Sequence, residues 1–231
     1  MAFVRILATL LAALSAALSL QCAAAPFALQ LGDSRVVLDA PAGFADTTFT
    51  GSPRLQELAE SLTSASNRIL MFAITDADLR RFTGGDTPEF RRYMVVVTPK
   101  EAERERITPD RFQRFIGDAL RDMGKPPATT DFPKHLDGQT PGQLSLLAEL
   151  RKDPAAVSVL QGLRLPPKKK PGMFSSPEPS IFVLSSTSLV LLRGKGLNLT
   201  VFTMYESPAD LDWVRNTTLR WIDDLQRLNS R

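Results

Sequence analysis

Residues 181–229 constrain the fold more than any other part of the chain. Ile181–Leu184 and Leu189–Arg193 read as strand, and Gly194-Lys195-Gly196 as a tight turn. Leu197, Leu199, Val201 and Thr203 then form one alternating face of a return strand. Phe202 and Met204 fall on its opposite face, so this strand is expected to be covered on both sides. Ser207-Pro208-Ala209-Asp210 has the spacing of a capping box. Leu211, Val214, Thr218, Trp221, Leu225 and Leu228 follow at helical intervals to Asn229. An apolar hairpin and an amphipathic helix next to each other in sequence bury their faces most simply against one another. The expected class is α+β: an antiparallel sheet with two or three helices packed on a face, among them this C-terminal amphipathic helix.

Upstream, Phe27, Leu29 and Leu31 alternate with Ala28 and Gln30, Gly32-Asp33-Ser34 turns, and Arg35–Leu38 returns, which predicts a hairpin. Ser52-Pro53 opens a helix whose apolar face is Leu55, Leu58, Ala59, Leu62 and Ala65. Ile69–Ile74 and Tyr93–Val97 read as strands, with a polar loop over 75–89 between them. Thr108 caps a second helix, with Phe112, Phe115, Ile116, Ala119, Leu120 and Met123 on its apolar face and Gly124 at its end. Leu144–Lys152 reads as a short helix and Val157–Leu160 as a strand. Pro-rich segments near 125–142 and 164–179 read as irregular loops.

Arg5, the uncharged run Ile6–Leu20 and the small residues Cys22-Ala23-Ala24-Ala25 have the three-part order of a cleavable signal peptide. The apolar run is shorter than the about 20 residues a spanning helix needs. Cleavage after Ala24 leaves small residues at the two determining positions and avoids a cut directly before Pro26. The expected organisation is therefore a signal peptide over 1–24 and one α+β domain over 25–231, located in the periplasm with no membrane span after cleavage. Lipidation of Cys22 is the minor alternative, because Gln21 occupies the place where a lipobox carries Gly or Ala.

Cys22 is the one cysteine, so residues 25–231 can form no disulfide, thiolate metal site or cysteine nucleophile. This usage suits a bacterial periplasm. The triplets Asn198-Leu199-Thr200 and Asn216-Thr217-Thr218 lie inside segments read as regular structure, where glycosylation acceptors are not expected. Lys and Arg number 28 against 25 acids, and losing Arg5 narrows that excess. It is no nucleic-acid footprint.

The Gly-Lys-Gly hairpin, the run Ser207-Pro208-Ala209-Asp210-Leu211-Asp212-Trp213, Trp221-Ile222-Asp223 and Asn229 together resemble a group of uncharacterised exported proteobacterial proteins. That resemblance implies compartment and fold. Pro41-Ala42-Gly43-Phe44, an early hairpin and a closing helix also resemble PsbP-like domains at the level of fold, which implies a binding or assembly role outside the cytoplasm.

No catalytic motif emerges. His135 is the single histidine, set among Pro133, Asp137 and Gly138, and no Gly-x-Ser-x-Gly elbow presents a nucleophile. Asp76-Ala77-Asp78 fails as a calcium loop, since Arg80, Arg81 and Thr87 stand where a ligand, Gly and Glu are required. Gly194-Lys195-Gly196 lacks the remainder of a P-loop. Asp210, Asp212, Asp223 and Asp224 lie near Trp213 and Trp221 and keep a carboxylate hydrolase open. Two features read as possible contacts: Lys168-Lys169-Lys170, for an anionic surface, and Trp213, about 80° off the stripe of the last helix. The reading is a non-catalytic periplasmic binding or accessory protein, without cofactor, for an envelope protein or anionic surface. A carboxylate-based hydrolase and a structural envelope component are the alternatives.

Overall fold

The computed structural model describes residues 25–166 and 180–230, so the expected signal peptide and Cys22 lie outside the described residues. β1 (Phe27–Leu31) and β2 (Ser34–Leu38) pair as the predicted hairpin, with Leu31 opposite Ser34. The other seven strands form one antiparallel sheet: β3 (Phe44–Asp46), β4 (Asn67–Thr75), β5 (Arg92–Pro99), β6 (Ser145–Asp153), β7 (Ala156–Arg164), β8 (Phe182–Leu192) and β9 (Lys195–Tyr205). Their spatial order is β3-β4-β5-β9-β8-β7-β6, which puts the terminal hairpin β8–β9 in the middle. Five helices appear among the described residues: α1 (Pro53–Ser61), α2 (Asp76–Thr83), α3 (Pro109–Met123), α4 (Phe132–Asp137) and α5 (Pro208–Asn229). The class is α+β, as expected.

Strand side chains alternate between the two faces of a sheet, and here both faces are used. Met94, Val96, Leu197, Leu199, Val201, Val190 and Leu160 point to one face. They form the main core with α5, α4 and the hairpin β1–β2. Phe72, Ile74, Val95 and Val97 point to the other face, under Leu55 and Ala59 of α1 and beside Leu79 and Phe82 of α2. Farther along that second face, Phe112 and Ile116 of α3 sit on Val157, Leu189 and Leu191.

Three local assignments differ from expectation. The polar stretch 75–89 contains α2, because Thr75 caps it: its Oγ1 accepts from the Asp78 amide at 3.1 Å. Asp78 in turn accepts from Thr75 Oγ1 at 2.9 Å and from the Glu89 amide at 2.8 Å, which closes the loop on itself. Leu144–Lys152 is not a helix; most of it is strand β6. Its Leu, Ala, Glu and Lys favour helix only slightly, and pairing with β7 overrides that preference. Two register shifts bulge β6, turning Leu147 into the core and interrupting an otherwise open sheet edge. Within the expected loop 125–142, Asp131 caps the short helix α4, accepting from the Lys134 amide at 3.2 Å.

The two apolar pieces around Ser185–Ser188 are one continuous strand. Ser186 and Ser188 point into the core but are satisfied there, by Thr218 of α5 at 2.5 Å and by Ser158 of β7 at 2.8 Å.

Candidate functional site

Phe115 decides where to look. α3 has the predicted apolar arc, yet only Phe112 and Ile116 are buried, and Phe115 is 59% exposed. It stands at a cleft of about 350 Å³ between α3, the 99–107 turn and the ends of β8 and β9. Ile107, Phe112 and Leu189 are part of its apolar wall. The turn is tied to the sheet by the Ile107 amide, which donates to the Gly194 carbonyl at 2.8 Å. Gly196 keeps the floor open to Ile107, since a Cβ there would lie 3.0 Å from Ile107 Cδ1. Arg111 and Glu105 on the rim neutralise each other at 2.9 Å.

One polar group in the cleft is unspent. Asn198 of β9 lines it, and its Oδ1 is sealed from solvent with no hydrogen-bond partner among the described residues. A buried acceptor left unpaired costs about 1–3 kcal/mol. A volume of this size, with apolar walls and an amide side chain in its lining, has the features of a small-molecule site.

A larger cavity of about 650 Å³ lies between α1 and β4, and several of its polar groups are already engaged. Thr47 Oγ1 donates to the Phe72 carbonyl at 2.8 Å, Thr48 Oγ1 to Asp46 at 2.7 Å, and Lys100 Nζ to the Ala65 carbonyl at 2.8 Å. Arg68 is paired with Glu103. A charged recess beside the first turn of α5 is likewise committed, through Arg81–Glu89, Arg91–Glu206 and Arg92–Asp210.

The residues singled out from sequence have mostly architectural roles. Trp213 stacks on Phe44 with ring centroids 6.0 Å apart, and the Arg92 guanidinium lies 4.2 Å over its ring. Arg92 also donates to Asp210 at 2.7 Å, so Trp213 is braced at the start of α5. Trp221 donates from Nε1 to the Asp39 carbonyl at 2.8 Å. Asn229 accepts from the Val37 amide at 2.9 Å and donates to its carbonyl at 2.8 Å, bonding the helix end to β2 as a strand would.

Lys195 is more than a turn residue. It is buried, its Nζ donates to the Glu105 carbonyl at 2.8 Å and sits 3.1 Å from Asp33, and it locks the turn of β1–β2 to the sheet. Gly32 completes that lock: its φ is +55°, and a Cβ there would press on the Lys195 ammonium at 3.0 Å. Lys168, Lys169 and Lys170 lie outside the described residues.

His135 sits on α4, half-buried, with Nε2 at 3.2 Å from Ser145 Oγ. Asp137 is engaged elsewhere: its Oδ1 accepts from Ser180 at 2.9 Å and Arg164 at 3.0 Å, and these two bonds hold its carboxyl below the usual carboxylate range. Burial opposes ionisation of Asp210, but the bonds from Arg92 and from the Glu206 and Ser207 amides outweigh it and keep this carboxyl low. Asp223 is paired with Arg151, and Asp224 with Arg227. Burial pushes the Asp39 carboxyl up, helped by the nearby charge of Asp224, but Asp39 lines neither of the two cavities. Burial also raises the Tyr93 phenol to about 12, which removes it from proton transfer at neutral pH. Among the described residues no group of three His, Cys, Asp or Glu is placed to hold a metal ion. No described helix is long and apolar enough to cross a membrane.

Sequence reasoning missed both Asn198 and the exposure of Phe115. The available signal was the width of the α3 arc: by helical periodicity Phe115 lies about 60° from Phe112 on the side away from Ile116, at one margin of the stripe.

No family model and no curated protein matches the chain. Among solved structures, that of the Saccharomyces cerevisiae Ran-binding protein Mog1p is similar over 90% of this chain and 94% of that one, at 12% identity and a TM-score of 0.35. At that score the likeness transfers neither a partner nor a site.

Proposed function

We propose that the chain is an exported, non-catalytic binding or accessory protein of the bacterial periplasm, working through the cleft beneath α3. The observation that carries this reading is the cleft itself, with an exposed phenylalanine at its mouth and, in its wall, an asparagine whose amide oxygen has no partner among the described residues. The alternative of a carboxylate hydrolase needs a general acid and a second carboxylate facing one cavity. Instead Asp210, Asp223 and Asp224, like Asp137, are held in ion pairs with arginines, and Asp212 lines neither cavity. Export rests on the charged start, short apolar run and small-residue site of residues 1–24. The lysines 168–170 would add an auxiliary contact for an anionic partner.

The test is complementation of a deletion strain. His135→Ala should rescue fully. Ala102→Trp, which fills the cleft from the 99–107 turn, should not, and charge reversal at Lys168, Lys169 and Lys170 should impair rescue. Failure of His135→Ala in a protein that folds and is exported normally would refute the non-catalytic reading. Full rescue by Ala102→Trp would refute the cleft. Mass spectrometry of the exported chain should place its N-terminus at Ala25, and a lipid mass on Cys22 or a retained Arg5 would contradict that processing.

A further inference from the structure

The chemistry of the cleft restricts its occupant further. Its two charged lining residues, Arg111 and Glu105, are paired with each other at 2.9 Å, so the lining presents no net charge and would penalise an ionic ligand. Its walls are aromatic and aliphatic, with Phe112 buried and Phe115 open. Among the described residues no N–H or O–H bonds the Asn198 oxygen. Strand pairing fixes the Asn198 backbone, with Leu189 of β8 on one side and Val97 of β5 on the other, while rotation of the side chain can turn its amide oxygen toward the cleft that Asn198 lines. An amide makes chemical sense where a donor arrives from outside.

Resting on the binding reading above, we infer that the cleft takes a small uncharged amphiphile: an aromatic or aliphatic body bearing one hydroxyl or N–H, whose donor bonds Asn198 Oδ1. The body lies along Phe112 and Leu189, and Phe115 closes over it. The cavity volume of 350 Å³ corresponds to about a dozen water-sized groups, which sets the ligand near a two-ring compound.

The test uses two fluorescent probes with the protein over 25–231: 2-naphthol, which has the donor, and 2-methoxynaphthalene, which has the same rings and none. Titration should show saturable one-to-one binding of 2-naphthol. Its methyl ether should bind about five- to ten-fold more weakly, the worth of one hydrogen bond to an otherwise unpaired acceptor. Asn198→Leu should bring both probes to the same affinity. Asn198→Val, β-branched and suited to a strand, should do the same and guards against a folding defect in the first variant. Ala102→Trp should abolish both.

Equal binding of the two probes to the unmodified protein, or discrimination that survives both Asn198 variants, would overturn the inference while leaving the cleft as a binding site. Binding that Ala102→Trp does not touch, or no binding of either probe, would overturn it as well. Whether the cleft carries the function is decided separately, by rescue with Ala102→Trp.

Discussion

Replacing Asn229 by Ala should unfasten the end of α5 from β2. The Val37 amide and carbonyl point away from β1 and are bonded by the Asn229 side chain at 2.9 and 2.8 Å, and Nδ2 also donates to the Leu225 carbonyl at 2.8 Å. Asn229 is 8% exposed, so truncation removes three bonds at once and leaves both Val37 groups without a strand or a side chain to meet. At about 0.5–1.5 kcal/mol net per bond, and with water reaching half-buried Val37, the loss is about 2–3 kcal/mol. That is a large part of a total stability of about 5–15 kcal/mol. Urea unfolding followed by circular dichroism should show the midpoint falling by about 1 M with an unchanged slope, for a slope of about 2–3 kcal/mol per M. Asn229→Asp keeps an acceptor for the Val37 amide but cannot donate to either carbonyl, so it should be no better than Ala. A midpoint shift below about 0.2 M in Asn229→Ala would refute the reasoning, and the hairpin would then be held by apolar contact alone.

Asp39→Asn should stabilise the protein at pH 7. Burial raises the folded carboxyl above its unfolded value, so the native state binds more protons between the two pKa values, and stability falls as pH rises through that window. The gain in melting temperature over the unmodified protein should therefore shrink on acidification and vanish below about pH 4; a gain constant with pH would contradict the assignment. Lys195→Met removes a buried ammonium that donates to the Glu105 carbonyl and faces Asp33, and should lower stability by about 1.5–3 kcal/mol, read as a fall of several degrees in a thermal melt. Deleting the chain after Glu206 strips Val214, Trp221, Ile222 and Leu225 from the main core and should abolish the cooperative melt; a retained melt would make α5 an external arm.

The terminal hairpin, the length of α5 and the helices at Ser52 and Thr108 were legible in the sequence because each rests on local rules: side-chain period, capping chemistry and proline at the first helical turn. Residues 144–152 were not, because their helix preference amounts to tenths of a kcal/mol while the strand state is set by β7, a partner that local periodicity does not name. The candidate site divides in the same way. Its apolar supply on α3 could be read from the sequence; the exposure of Phe115 could not, since a stripe tells what a helix can bury and not how much surface its neighbours offer. Asn198 looked like one more polar residue on an alternating strand. Only the tertiary structure sets it in one cleft with Ile107 and Phe112 and leaves its oxygen without a donor, because burial and hydrogen-bond satisfaction are sums over groups that the chain brings together from far apart.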